Sequence, residues 1–237
     1  MKTHTQNGNA LFFILIAVVM LGLLTIVLSR GGSNTEQTGS FEQDRIQITQ
    51  ILRYVKSIEA AIEQMKLDGI SENEISFANN ITTADYTNIR CDDTSDRNFP
   101  RCLIFDQGGA GLTFRNFPSV NDSSDWTLTS VYNVGSINGP VGTTEDVRGN
   151  DIIMVLSNID GAICRQINRD LGVKTSGTIP LENDFSSLTE FTGAFPTGLE
   201  VIDAPDGVGN NVFDSQTAGC FVDANTINHF YYVLLAR

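Results

Sequence analysis

The run at residues 11–28 (LFFILIAVVMLGLLTIVL) constrains this chain more than any other stretch, because it carries no charge and only Gly22 and Thr25 interrupt it. About 18 such residues form about 28 Å of helix, close to the hydrocarbon thickness of a bilayer. A helix also satisfies its own backbone in lipid. The expectation is therefore a transmembrane helix over 9–29. A cleavable secretory signal would have a shorter apolar region, about 7–15 residues, followed by a small-x-small site. Leu28-Ser29-Arg30 offers no such site, so a retained anchor is predicted. Charge leaves its orientation open, since Lys2 and the amino terminus on one side face Arg30 on the other.

The chain has 237 residues, which leaves about 200 after the apolar run, enough for one domain with a proper core. A net charge of −13 argues against nucleic acid as a partner, because a binder must neutralise phosphates with Lys and Arg. Four cysteines, Cys91, Cys102, Cys164 and Cys220, allow three disulfide connectivities. Cys91 with Cys102 is expected because it closes a short polar loop (CDDTSDRNFPRC), which leaves Cys164 with Cys220. Disulfides persist outside the cytosol. The expected location is a single-pass protein of a bacterial inner membrane with its domain in the periplasm or at the cell exterior.

Residues 30–40 (RGGSNTEQTGS) read as a flexible linker without apolar periodicity. Ser40-Phe41-Glu42-Gln43 then has the form of a capping box. Ile48, Ile51, Leu52, Val55, Ile58, Ile62 and Met65 follow at steps of three and four, the stripe of an amphipathic helix that ends near Asp68-Gly69. A second box, Ser71 to Glu74, is flanked by Ile70 and Ile75 as a hydrophobic staple. Strands are expected at 102–106 and 112–115 around a glycine turn, at 126–134 by alternation, and at 151–156 (DIIMVL) as the central strand. A helix over about 160–171 ends at Gly172, 173–217 form a long surface excursion, and the segments flanking 224–228 close the chain as a hairpin. The fold class is α+β, with an amphipathic helix packed on an antiparallel sheet over 41–237.

Residues 1–8 (MKTHTQNG) form a short polar leader that ends in glycine directly before the apolar run. Leader, apolar helix, amphipathic helix and disulfide-tied C-terminal part together resemble type IV pilins and the pseudopilins of type II secretion. In that family a prepilin peptidase cuts after the leader glycine, and here the matching bond joins Gly8 to Asn9. The family usually carries Glu at the fifth mature position, where this chain has Phe13. The resemblance implies other pilin-like subunits as partners, together with the membrane and a prepilin peptidase.

No catalytic constellation stands out: G-x-S-x-G, H-E-x-x-H and Walker or Rossmann glycine patterns are absent. Gln107 to Gly111 reads as a hairpin turn rather than a phosphate loop, because no helix pattern or lysine follows it. His229, at the start of a hydrophobic strand, reads as structural or solvent-facing. Asp92, Asp93 and Asp96, and separately Asp203, Asp206 and Asp214, supply oxygen ligands of the kind calcium takes, but without the spacing of a calcium loop. They read as solvated acidic loops, so no metal or other cofactor is expected. Asn80-Ile-Thr82 and Asn121-Asp-Ser123 are glycosylation sequons. The leading expectation is a non-enzymatic, membrane-anchored assembly subunit of a pilus or secretion machine; the alternative is an anchored binding domain outside any filament.

Overall fold

The structure is a computed structural model that describes residues 9–82, 84–91, 94–95, 97–134, 150–175, 177–185, 188–196, 200–204 and 211–237, with helix side chains described at 12–23, 25–26 and from 42 onward. The chain divides into two compact units, Met1–Ile46 and Gln47–Arg237. The expected leader, residues 1–8, lies outside the described residues, as do residues 135–149.

Helix α1 runs from Asn9 to Leu67. Its backbone is helical through 30–40, where the glycines and polar residues predicted a linker, and Ser40 is an interior helical residue rather than a cap. Among the described residues no helix is long and apolar enough to cross a membrane. This overturns both the transmembrane helix expected at 9–29 and the single-pass inner-membrane location.

In the second unit the predicted stripe is the buried face of α1. Ile48, Ile51, Val55, Ile58, Ile62 and Met65 are buried and Leu52 is half-buried. Each such burial contributes about 1.5–3 kcal/mol. The helix ends where expected, with the amide of Ile70 donating to the carbonyl of Met65 and Gly69 at φ +86°. Ser71 and Glu74 form the second capping box, the amide of Ser71 donating to Glu74 Oε2 at 2.8 Å, ahead of a single 3₁₀ turn, Glu72–Glu74.

Seven strands follow among the described residues: β1 (Trp126–Thr129), β2 (Tyr132–Val134), β3 (Ile152–Ser157), β4 (Leu181–Glu182), β5 (Glu200–Ile202), β6 (Ala218–Asp223) and β7 (Asn228–Leu235). Between β3 and β4 lies helix α2 (Gly161–Leu171). The main sheet has the order β1-β3-β7-β6-β4, and β2 pairs with β5 in a second, two-stranded sheet. The expected antiparallel sheet is thus mixed: β4 runs parallel to β6, and β2 parallel to β5. Central position belongs to β7, not to the 151–156 strand, although β3 is buried on both faces as its unbroken apolar run requires.

Two further expectations are corrected. Residues 102–115 form turns rather than a strand hairpin, with Leu103 making only an isolated bridge to Ser76. Gly109 there serves packing, since a Cβ on it would lie 1.9 Å from the carbonyl oxygen of Leu103. The alternating stretch 126–134 is two strands, β1 in the main sheet and β2 in the small one. The edge of β1 is covered, since Leu128 donates its amide to Tyr86 Oη at 3.2 Å and accepts from the amide of Phe191 at 2.8 Å.

Helix α2 and the last hairpin agree with expectation. Asp160 caps α2 through the amide of Ala162 at 2.7 Å, and Gly172, at φ +72°, ends it in a left-handed turn that favours glycine. One core lies between the main sheet, α1 and α2; a second packs Val155, Phe221 and Tyr231 against Tyr132, Phe185 and Ile202.

Candidate functional site

The first unit presents an apolar surface. Phe12, Phe13, Ile14, Leu15, Val18, Val19, Met20, Leu21, Leu23 and Ile26 are all more than half exposed on α1. Successive helical residues are about 100° apart, so four consecutive positions, Val18 to Leu21, already cover most of the circumference. A helix that is hydrophobic all round is one that its surroundings enclose, and an exposed apolar area of this extent marks an interaction site. Thr25 does not break the surface, because its hydroxyl donates back to the carbonyl of Gly22 at 2.8 Å. Of the expected processing pair, Asn9 is the first residue of α1, and Gly8 lies outside the described residues.

In the second unit the cysteines pair as expected. Cys91 is bridged to Cys102 and Cys164 to Cys220, with Cα separations of 5.8 and 5.4 Å, and no cysteine is free. The second bridge joins α2 to β6, where Asn168 adds a two-way contact: its Nδ2 donates to the carbonyl of Cys220 at 2.7 Å and its Oδ1 accepts from the same residue's amide at 2.8 Å.

His229 is buried, and strand register brings it partners that the sequence did not point to. Its Nδ1 lies 2.9 Å from Ser157 Oγ on β3, and its Nε2 lies 3.4 Å from Asp223 Oδ2 at the end of β6. The ring sits between Phe185 and Phe221, with centroids 4.6 and 5.3 Å away. Asp223 Oδ1 accepts the amides of Asn225 and Ile227, closing the β6–β7 turn. Burial pushes the imidazole below its usual 6.5, against the opposing pull of Asp223. Serine, histidine and aspartate are the residue types of a nucleophilic triad, but the carboxylate approaches Nε2 at a distance too long for a normal hydrogen bond.

Of the calcium candidates, Asp92, Asp93, Asp96 and Asp206 lie outside the described residues. Asp203 and Asp214 are described, and the charges of Asp214, Glu182 and Asp184 act on Asp203. Glu182 is buried; its Oε1 accepts the amide of Asp184, and its Oε2 accepts those of Asp203 and Ala204 at 2.9 and 2.7 Å. Among the described residues no group of three His, Cys, Asp or Glu is arranged to hold a metal.

Desolvation, reinforced by Glu182, Asp184 and Asp214, raises the Asp203 carboxyl from 3.8 to about 6. With the folded value above the unfolded one, Asp203 contributes stability below about pH 4 that is lost as the pH rises through about 6. Asp203→Asn is therefore expected to stabilise the protein at pH 7.5, by on the order of 1 kcal/mol after solvent screening, and to change nothing at pH 3.5. Thermal melts of both proteins at the two pH values check this.

Two clefts flank Ile70. One, of about 430 Å³, is lined by Lys66, Ser71, Glu72, Phe195 and Arg237; the other, of about 370 Å³, by Gln64, Asp68, Arg101 and residues 108–110. Neither is lined by Ser157 or His229. In the first, Glu72 bridges Lys66 and Arg237 at 3.1 Å each, and the Arg237 guanidinium lies 3.9 Å over the Phe195 ring. Of the two sequons, Asn80 is exposed, whereas Asn121 Nδ2 is spent on the carbonyls of Ser124 and Ser157.

No protein-family model, curated protein or solved structure matches this chain.

Proposed function

We infer that this chain is a non-catalytic assembly subunit of the pilin-like kind, which associates through the apolar part of α1 with copies of itself or with similar subunits. The observation that carries the reading is the ring of exposed apolar side chains from Phe12 to Ile26. A two-helix seam buries only the a and d positions of each heptad and would leave most of this surface in water. Enclosure by several like helices buries all of it. A leader ending at Gly8 and a separately folded second unit supplying lateral contacts fit the same reading.

The test is a carboxylate scan around the helix. Val18→Glu, Val19→Glu, Met20→Glu and Leu21→Glu place one charge on each side in turn. An enclosed helix offers no side on which a carboxylate stays hydrated, and an unpaired buried charge costs several kcal/mol. Each variant is therefore expected to reduce the multimer ladder seen by crosslinking of the full chain at least about tenfold. Sensitivity at only one or two of the four positions would indicate a seam between two helices. A wild-type chain that gives no multimers would remove the reading.

A further inference from the structure

We propose that His229 is a proton-operated clasp that holds the 181–185 segment on the sheet, and that acidification from about pH 7 to about pH 5 releases this segment from the second core. Phe185 is the segment's anchor. It stacks on Tyr132 at 4.9 Å, meets Phe221 edge-on at 4.8 Å and covers the His229 ring at 4.6 Å. The neighbouring β4 is only Leu181–Glu182, joined to β6 by a short parallel pairing and held by the amides of Asp203 and Ala204 on Glu182, and Phe185 is what fixes the C-terminal end of the segment on the second core.

The geometry suits the neutral imidazole and not the cation. When His229 is neutral with its proton on Nε2, that N–H faces Asp223 and Ser157 Oγ–H donates to Nδ1 across 2.9 Å. A second proton enters at Nδ1, so Ser157 must turn its hydroxyl from donor to acceptor, and a cation is left between two phenyl rings at a position only 5% exposed. Nε2 is fully buried and makes no aligned hydrogen bond among the described residues.

Burial by the groups packed on the ring sets the sign, and Asp223 opposes it. From β3 comes Ser157, from β6 come Phe221 and Asp223, and from the segment after β4 comes Phe185. Glu182 of β4 stands beside Asp223 in register, but its carboxylate is committed to the amides of Asp184, Asp203 and Ala204. Asp223 therefore supplies the counter-charge, and its Oδ1 is tied to the turn. A folded-state value below 6.5 means that stability present above that pH is lost as the pH falls. Asp203 titrates in the opposite sense, so the effect of His229 is read most cleanly on an Asp203→Asn background.

The experiment is hydrogen–deuterium exchange of the full chain at about pH 7 and about pH 5, corrected for intrinsic rates, on the Asp203→Asn protein with and without His229→Gln. Protection of 181–185 should fall about tenfold or more on acidification when His229 is present and stay within about twofold when it is Gln. An equal fall in both proteins, or none in either, overturns the proposal. Because His229→Gln could disturb folding, ring resonances of His229 and Phe185 are followed by NMR in the unmutated chain as well. The expected result is that Phe185 leaves its packed environment as His229 titrates; titration of His229 with Phe185 unmoved overturns the clasp independently of the variant.

Discussion

Replacing Cys164 and Cys220 together by alanine is expected to lower the stability of the second unit by about 4 kcal/mol, and the same exchange at Cys91 and Cys102 by about 3 kcal/mol. The difference follows from the chain each bridge closes: 56 residues separate Cys164 from Cys220, and 11 separate Cys91 from Cys102. Closing the longer loop removes more freedom from the unfolded chain. The folded state around Cys220 does not depend on the sulfur bond alone, because Asn168 holds both its amide and its carbonyl. The loss should therefore appear as easier unfolding of an otherwise native domain. Urea denaturation of the two double variants measures it. If the 164/220 pair costs no more than the 91/102 pair, chain entropy is not the source of the stabilisation.

Trp126→Ala is the core substitution with the largest expected cost, about 3–5 kcal/mol. Trp126 is 1% exposed and joins three elements: its ring centroid lies 6.2 Å from Tyr54 on α1, 6.1 Å from Phe117 and 6.1 Å from Phe230 on β7. Alanine there leaves a cavity between the helix and the sheet. Among the described residues the buried indole Nε1 has no acceptor, an unfavourable contribution that phenylalanine would remove. Trp126→Phe is accordingly expected to cost only about 1–2 kcal/mol. Circular dichroism must follow the melts, since Trp126 is the chain's only tryptophan. Equal losses for the two variants would show that refilling the site with a phenyl ring recovers nothing, so that cavity volume is not the source of the cost.

Much of the second unit was legible residue by residue. The three-and-four spacing from Ile48 to Met65, the Ser71–Glu74 box, Gly172 at the end of α2, and the turn between β6 and β7 each depend on neighbours within about one helical turn or one hairpin. Local pattern is sufficient for such features because the contacts that stabilise them are local. The glycine-rich stretch 30–40 shows the limit of the same reasoning, since propensity predicted a break where the backbone of α1 is helical throughout.

The candidate sites divide along the same line. That the run at residues 11–28 is apolar on every side of the helix is decided by the sequence itself, because no charge interrupts it, whatever the rest of the chain does. Tertiary structure alone decided the surroundings of His229. Ser157 lies 72 residues before it, and Phe185 arrives from a loop-rich segment whose pattern signals little beyond occasional burial. It also decided that one alternating stretch, 126–134, serves two sheets. Alternation reports which side of a strand is buried, and says nothing about whether the strand's hydrogen bonds go to β3 or to β5.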